Sequence, residues 1–257
     1  MEGYSPVFNR AVSAFSESTA KESQDEIFAS FRERYDMYGF LHNGNKPYDE
    51  EAETLAIRTD PFMFHSYYER NQTKKLLGYG NIPDPLPYNE LDSRHIMMSI
   101  ILFANLPTPV KTIAEIGGGF GNWLWLNHTI QPFDHWTIVD LPHVNELQRW
   151  YLNAQGVPSN LYSIVSSDEF SSQPYDLVIG SHSLSEFSID VFHRYFSQIL
   201  TRCKYLFYAH HIYGPSLDLI NQKQAILQST FEDIVCVQSE KGLVMNRLMR
   251  NKFITSL

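Results

Sequence analysis

The residues best suited to chemistry lie in the second half of the chain. Glu115, Gly117, Gly118, Gly119 and Gly121 fall in the run Ala114-Glu115-Ile116-Gly117-Gly118-Gly119-Phe120-Gly121. Glycines at alternate positions let the backbone take positive φ and approach a ligand that any Cβ would push away. Asp140 follows at about the 20-residue interval where an acid ending a second strand accepts hydrogen bonds from ribose hydroxyls. Loop and acid together point to a nucleoside-bearing cofactor. The dinucleotide fingerprint Gly-x-Gly-x-x-Gly does not fit, because Asn122 stands where its third glycine belongs if Gly117 opens it. Further on, Ser181-His182-Ser183-Leu184-Ser185-Glu186 and the pair His210-His211 carry side chains able to move protons. Histidine is the commonest general base because it titrates near working pH.

These residues need a scaffold, and the hydrophobic pattern supplies one. Short apolar strands are expected at Val110 to Ile116, Trp136 to Val139, Leu161 to Val165, Tyr175 to Ile179 and Tyr205 to Ala209, with two final runs at Ile234 to Gln238 and Leu243 to Met249. Helices alternate with them. One opens near Pro142 and closes before Gly156; another carries Phe192, Tyr195, Phe196, Ile199 and Leu200 at helical spacing. Such alternation implies a mostly parallel sheet covered on both faces, with ligands at the carboxyl ends of its strands. His182 and the His210-His211 pair are then placed just after strands four and five, at that edge.

The first hundred residues differ in texture, being rich in charge, Tyr and Pro. Ile27, Phe28, Phe31, Tyr35 and Tyr38 mark one face of a helix from Asp25 to Phe40, and a second helix is expected from Phe62 to Leu77. The Gly- and Pro-rich run from Gly78 to Tyr88 reads as a connector. Asp92 or Ser93 is expected to cap the next helix, whose apolar stripe ends at Pro107. Residues 1–88 are therefore read as an N-terminal helical cap and residues 89–257 as the main domain. Tyr67, Tyr68, Tyr79 and Tyr88 either pack that cap or line a substrate cleft, where tyrosine suits the apolar faces of sugars.

Glu115 to Gly121 resembles the first motif of the class I S-adenosylmethionine (SAM)-dependent methyltransferases, in which the loop faces the amino-acid part of the cofactor. Val139-Asp140-Leu141-Pro142-His143-Val144 is similar to the second motif of the small-molecule O-methyltransferases, and Tyr175 to Ile179 to their fourth strand. The segment Ser181 to Phe187 with the aromatic helix after it resembles a group assigned to sugar O-methylation. The similarity runs from about Val110 to the C-terminus and weakens before Asp92. It implies an α/β, Rossmann-like sheet of seven strands with the last antiparallel.

It also implies a cofactor set. Glu115, Gly117, Gly118, Gly119, Gly121, Asp140, Leu141 and Ser181 line the SAM site, Ser167 and Asp168 meet the adenine end, and Arg94 or His95 reaches the cofactor carboxylate or an anionic substrate group. A hydroxyl acceptor must lose a proton during methyl transfer, and His182 is the base; Glu186 orients it, binds a sugar hydroxyl or stands solvated, and one of His210 and His211 faces the site. These four side chains could also hold a divalent ion, but no carboxylate pair with clear metal spacing appears, so none is assigned. Transfer to nitrogen, and a SAM-fold protein that binds without catalysis, are the alternatives; the retained glycines and Asp140 weigh against the second.

Bulk composition narrows the partners. The 257 residues are 43% hydrophobic and 14% aromatic, enough for a substantial core, and the net charge of −9 disfavours nucleic acid and anionic membranes. A small-molecule substrate is expected, with the oligomeric state open and a homodimer compatible. Two cysteines, Cys203 and Cys236, make no disulfide framework and are read as small core residues in a cytoplasmic protein. Neither a secretory leader nor a run long enough to span a bilayer is apparent.

Overall fold

The computed structural model describes residues 21–33, 48–80, 84–170, 172–211, 217–238 and 244–254, with positions 13, 17 and 82. Its centre is a seven-stranded sheet made of β1 (Thr112–Ile116), β2 (His135–Asp140), β3 (Tyr162–Ser166), β4 (Leu177–Ser181), β5 (Tyr205–His211), β6 (Phe231–Gln238) and β7 (Val244–Asn251). They lie in the order β3-β2-β1-β4-β5-β7-β6. β1 to β5 pair in parallel, and β7 runs antiparallel to β5 and β6. Strand order reverses between β1 and β4, the place where open α/β sheets leave a crevice for ligands.

Nine α-helices are described: α1 (Gln24–Ala29), α2 (Glu50–Thr59), α3 (Pro61–Gln72), α4 (Glu90–Ala104), α5 (Asn122–Asn127), α6 (Pro142–Ala154), α7 (Ser183–Glu186), α8 (Ile189–Gln198) and α9 (Leu217–Thr230). One core layer joins β1, β2 and β4 to α4, α5 and α6, and Ile27, Phe31 and Tyr67 from the N-terminal helices belong to it. The other layer lies under α7, α8 and α9 around Leu184, Phe192, Tyr195 and Leu227. Central strands have no wet face, so Leu177, Val178 and Ile179 are consecutive and all buried.

The sequence expectations need six corrections, the first being that the helix expected from Phe62 to Leu77 is α3, Pro61–Gln72, and ends at Gln72. The helix begun at Asp25 starts one residue earlier, with Ser23 and Glu26 forming a capping box, and stops at Ala29; a 3₁₀ turn, Phe31–Glu33, follows. Tyr35 and Tyr38 lie outside the described residues. α2 was missed because its buried stripe is only Ala52 and Ala56; Asp49 caps it. α4 is capped by Asn89, three residues before Asp92, and Asp92 closes the capping box instead of opening the helix. β5 continues through His210 and His211, which makes them strand residues instead of loop residues after the strand. Cys203 is buried as expected, whereas Cys236 is exposed, since β6 is an edge strand with little covering it.

Candidate functional site

The glycine loop leaves β1 at the crevice. Gly117, Gly119 and Gly121 all have positive φ, at 74°, 58° and 90°. At Gly117 the requirement is also spatial, because a Cβ there would stand 2.5 Å from Cβ of Ser183. The loop and the start of α7 are thus in contact. Asp140, ending β2, is 5% exposed and holds the loop from below. Its Oδ1 accepts from the Leu141 N–H at 2.8 Å and its Oδ2 from Gln148 Nε2 at 2.9 Å. The same Gln148 nitrogen donates to the Gly119 carbonyl at 2.8 Å, so one α6 side chain ties acid to loop. Gln148 escaped the sequence reading; only its place two turns into the helix after Asp140 could have pointed to it.

Burial shapes the electrostatics here. Glu115, at 4% exposure, accepts from Trp136 Nε1 at 3.0 Å, and desolvation pushes its pKa up to about 8. Desolvation likewise pushes Asp140 up to about 7, against the hydrogen bonds from Leu141 and Gln148. Ser167 follows β3, and its N–H donates to the Asp140 carbonyl at 2.8 Å. Its Oγ is buried without a hydrogen-bond partner, a polar atom available to a ligand beside Asp140. Asp168 is exposed.

Across the crevice, Ser181 ends β4 with its Oγ 3.4 Å from Met98 Sδ of α4. His182 comes next in a conformation rare for a residue with a side chain, φ 63° and ψ −35°. Its N–H donates to the Ala209 carbonyl at 2.8 Å, which continues the β4–β5 pairing. Ser183 Oγ donates to the Ile116 carbonyl, and Lys223 Nζ, from α9, donates to the carbonyls of Ser185 (2.8 Å) and Phe187 (2.5 Å). The turn that carries the half-buried His182 is therefore held by β5, β1 and α9, with Ser183 against Gly117 of the glycine loop. Glu186 keeps an exposed surface, yet protein crowding its carboxyl pushes its pKa up while the Lys223 ammonium opposes this.

Other expected residues lie elsewhere. Arg94 spends its guanidinium on Asp49 (3.0 Å) and Glu90 (2.8 Å). His95 Nδ1 is 2.9 Å from Asn122 Nδ2, and the surrounding protein lowers its pKa to about 4, leaving it neutral. His210 is fully buried, stacked on Tyr208 and 2.9 Å from Gln224 of α9, on the face of the sheet away from Met98. His211 pairs with Val244 in the sheet, and its side chain lies outside the described residues. Tyr67 bonds Asn127 and Gln131, and Tyr79 bonds Asn89, both as packing groups; Tyr68 and Tyr88 meet edge to face with rings 5.2 Å apart. Among the described residues no three His, Cys, Asp or Glu side chains lie close enough together to hold a metal ion. No helix among them is long and apolar enough to cross a membrane.

No protein-family model matches the sequence, and no curated protein matches it. Solved structures do match in three dimensions. The N-methyltransferase NodS from Bradyrhizobium japonicum, in complex with S-adenosyl-L-homocysteine, superposes with a TM-score of 0.52 at 14% identity, over 74% of this chain and 98% of that one. PH0226 protein from Pyrococcus horikoshii gives 0.51 at 12%, over 63% and 92%. The fold is that of the class I methyltransferases. In this fold the glycine loop, Asp140 and the His182 turn lie at the carboxyl ends of β1, β2 and β4, where the strand order reverses. Mitomycin 7-O-methyltransferase MmcR aligns with 96% of this chain and 68% of its own, at 17% identity and a TM-score of 0.47.

Proposed function

We propose that this protein is a SAM-dependent O-methyltransferase acting on a hydroxyl of a small molecule, with a sugar or sugar-like compound as the favoured acceptor class. The observation that carries the reading is the contact of two loops over the switch point: Gly117 of the glycine loop against Ser183, the residue after His182. SAM supplies an electrophilic methyl group on a sulfonium. Asp140 suits the ribose hydroxyls, Ser167 Oγ has a free valence for the adenine end, and the glycine loop gives its backbone to the amino-acid part. His182, beside that loop, takes the proton that an acceptor hydroxyl sheds as its oxygen bonds to the methyl carbon. The N-terminal region, residues 1–88, serves as the cap that keeps water out. Transfer to nitrogen needs less from a base, so the strained placement of His182 favours oxygen.

Calorimetry with S-adenosylhomocysteine (SAH) tests the cofactor assignment, with binding expected to the intact protein and a loss of about 10-fold or more in Asp140→Ala. Lack of SAH binding would remove the reading. With a panel of sugar and other hydroxyl acceptors, His182→Ala should keep SAH affinity and lose about 100-fold or more in turnover. Undiminished turnover would take the base role from His182.

A further inference from the structure

Arg32 is a buried cation that nothing in the reading above uses. It sits in the 3₁₀ turn after α1, 2% exposed. The turn is docked, since the Arg32 N–H donates to the Gly78 carbonyl at 2.8 Å and the Gly80 N–H to the Ala29 carbonyl at 2.9 Å. The guanidinium carbon lies 4.5 Å from the ring centroids of both Tyr79 and Phe120. Phe120 is a residue of the glycine loop. Among the described residues no carboxylate pairs with Arg32, and its Nε has no acceptor.

A guanidinium keeps its charge at any working pH, so it cannot escape the cost of burial by releasing a proton. Ring contacts offset only part of that cost. The one acid nearby is already engaged: Asp92 accepts from Lys74 Nζ at 2.5 Å, with both side chains fully buried. Among the described residues, Arg32 and Lys74 thus stand near a single carboxylate, which Lys74 takes, and His95 of α4 is neutral. Among the described residues this group carries one positive charge more than it has carboxylates to balance.

We propose that Arg32 anchors an oxyanion site between the N-terminal helices and the glycine loop, shaped for a ligand carboxylate, with Lys74 adding positive field. The proposal rests on the methyltransferase reading for one source of that group, the amino-acid carboxylate of the cofactor. An acidic acceptor is the other source, and the chemistry recognised is the same.

The test uses the full chain and Arg32→Met, with SAH, 5′-methylthioadenosine (which lacks the amino-acid part), acetate and inorganic phosphate as probes. SAH affinity should fall about 10- to 100-fold in Arg32→Met while methylthioadenosine affinity stays at the wild-type value. The ligand-free melting temperature should equal or exceed that of wild type, because a buried charge with no carboxylate partner among the described residues has been removed; a purely structural arginine would give a lower one. Retained SAH affinity, together with loss of the stabilisation that acetate or phosphate gives the SAH-saturated wild type, assigns the site to an acidic acceptor. Arg32→Met matching wild type with SAH, acetate and phosphate alike overturns the proposal. Should that variant not fold, Arg32→Lys keeps the charge and loses the fork, and an unchanged response to all three probes overturns it equally. If wild type binds neither SAH nor methylthioadenosine, the methyltransferase reading fails while acetate and phosphate still decide the anion site.

Discussion

Two loops meet over the switch point of the sheet, and they are built in opposite ways. Gly117 to Gly121 owes its shape to its own backbone, with positive φ at three glycines and Gln148 and Asp140 beneath it. His182 to Phe187 owes its shape to partners far along the chain: the carbonyls of Ile116 and Ala209, and the Lys223 ammonium. The first loop is made to let a ligand come close. The second holds the His182 backbone in a conformation it would not choose alone. Damage to the first should therefore appear in binding, and damage to the second in turnover.

The largest effect is expected where the loops touch. Gly117→Val adds a branched side chain at φ 74° and 2.5 Å from Ser183, so SAH affinity should fall about 100-fold or more by calorimetry. Near-normal affinity would show that the loops part freely, and the contrast between them would dissolve. Lys223→Met comes next, leaving the Ser185 and Phe187 carbonyls without their donor. Turnover should drop about 10-fold with SAH affinity within about twofold, and a matching loss of affinity would mean that Lys223 supports both loops.

The smallest effect concerns pH. Glu115 has a pKa near 8 in the folded protein, against 4.5 for the ordinary side chain. As pH rises from about 4.5 to 8 the unfolded chain releases a proton that the folded one retains, so this group costs ligand-free stability progressively across that window. Glu115→Gln removes the slope. Its melting temperature relative to wild type should climb by a few degrees between about pH 5 and pH 8, and a pH-independent difference would show that Glu115 is not held protonated by burial.

The sequence was most legible where structure is local or strongly periodic. The strands from β1 to β5 appear within about two residues of expectation because their apolar runs are continuous. Pro142 marks the start of α6 in plain view. α2 was hidden because a helix that buries two alanines leaves little apolar periodicity to read. His210 looked like an edge residue until β5 proved two residues longer, and strand alternation then carried it to the face under α9.

By itself, the chain determined the alternation of strands and helices, the glycine loop and the acid ending β2, since all three rest on backbone preferences and spacing within a few dozen residues. Only the tertiary structure decided which side chains share that crevice. It brought Lys223 under the His182 loop, engaged Arg94 with Asp49, and set Arg32 against Phe120. Such meetings join residues 40 or more positions apart or from separate elements. They depend on how whole layers pack, which no local pattern encodes.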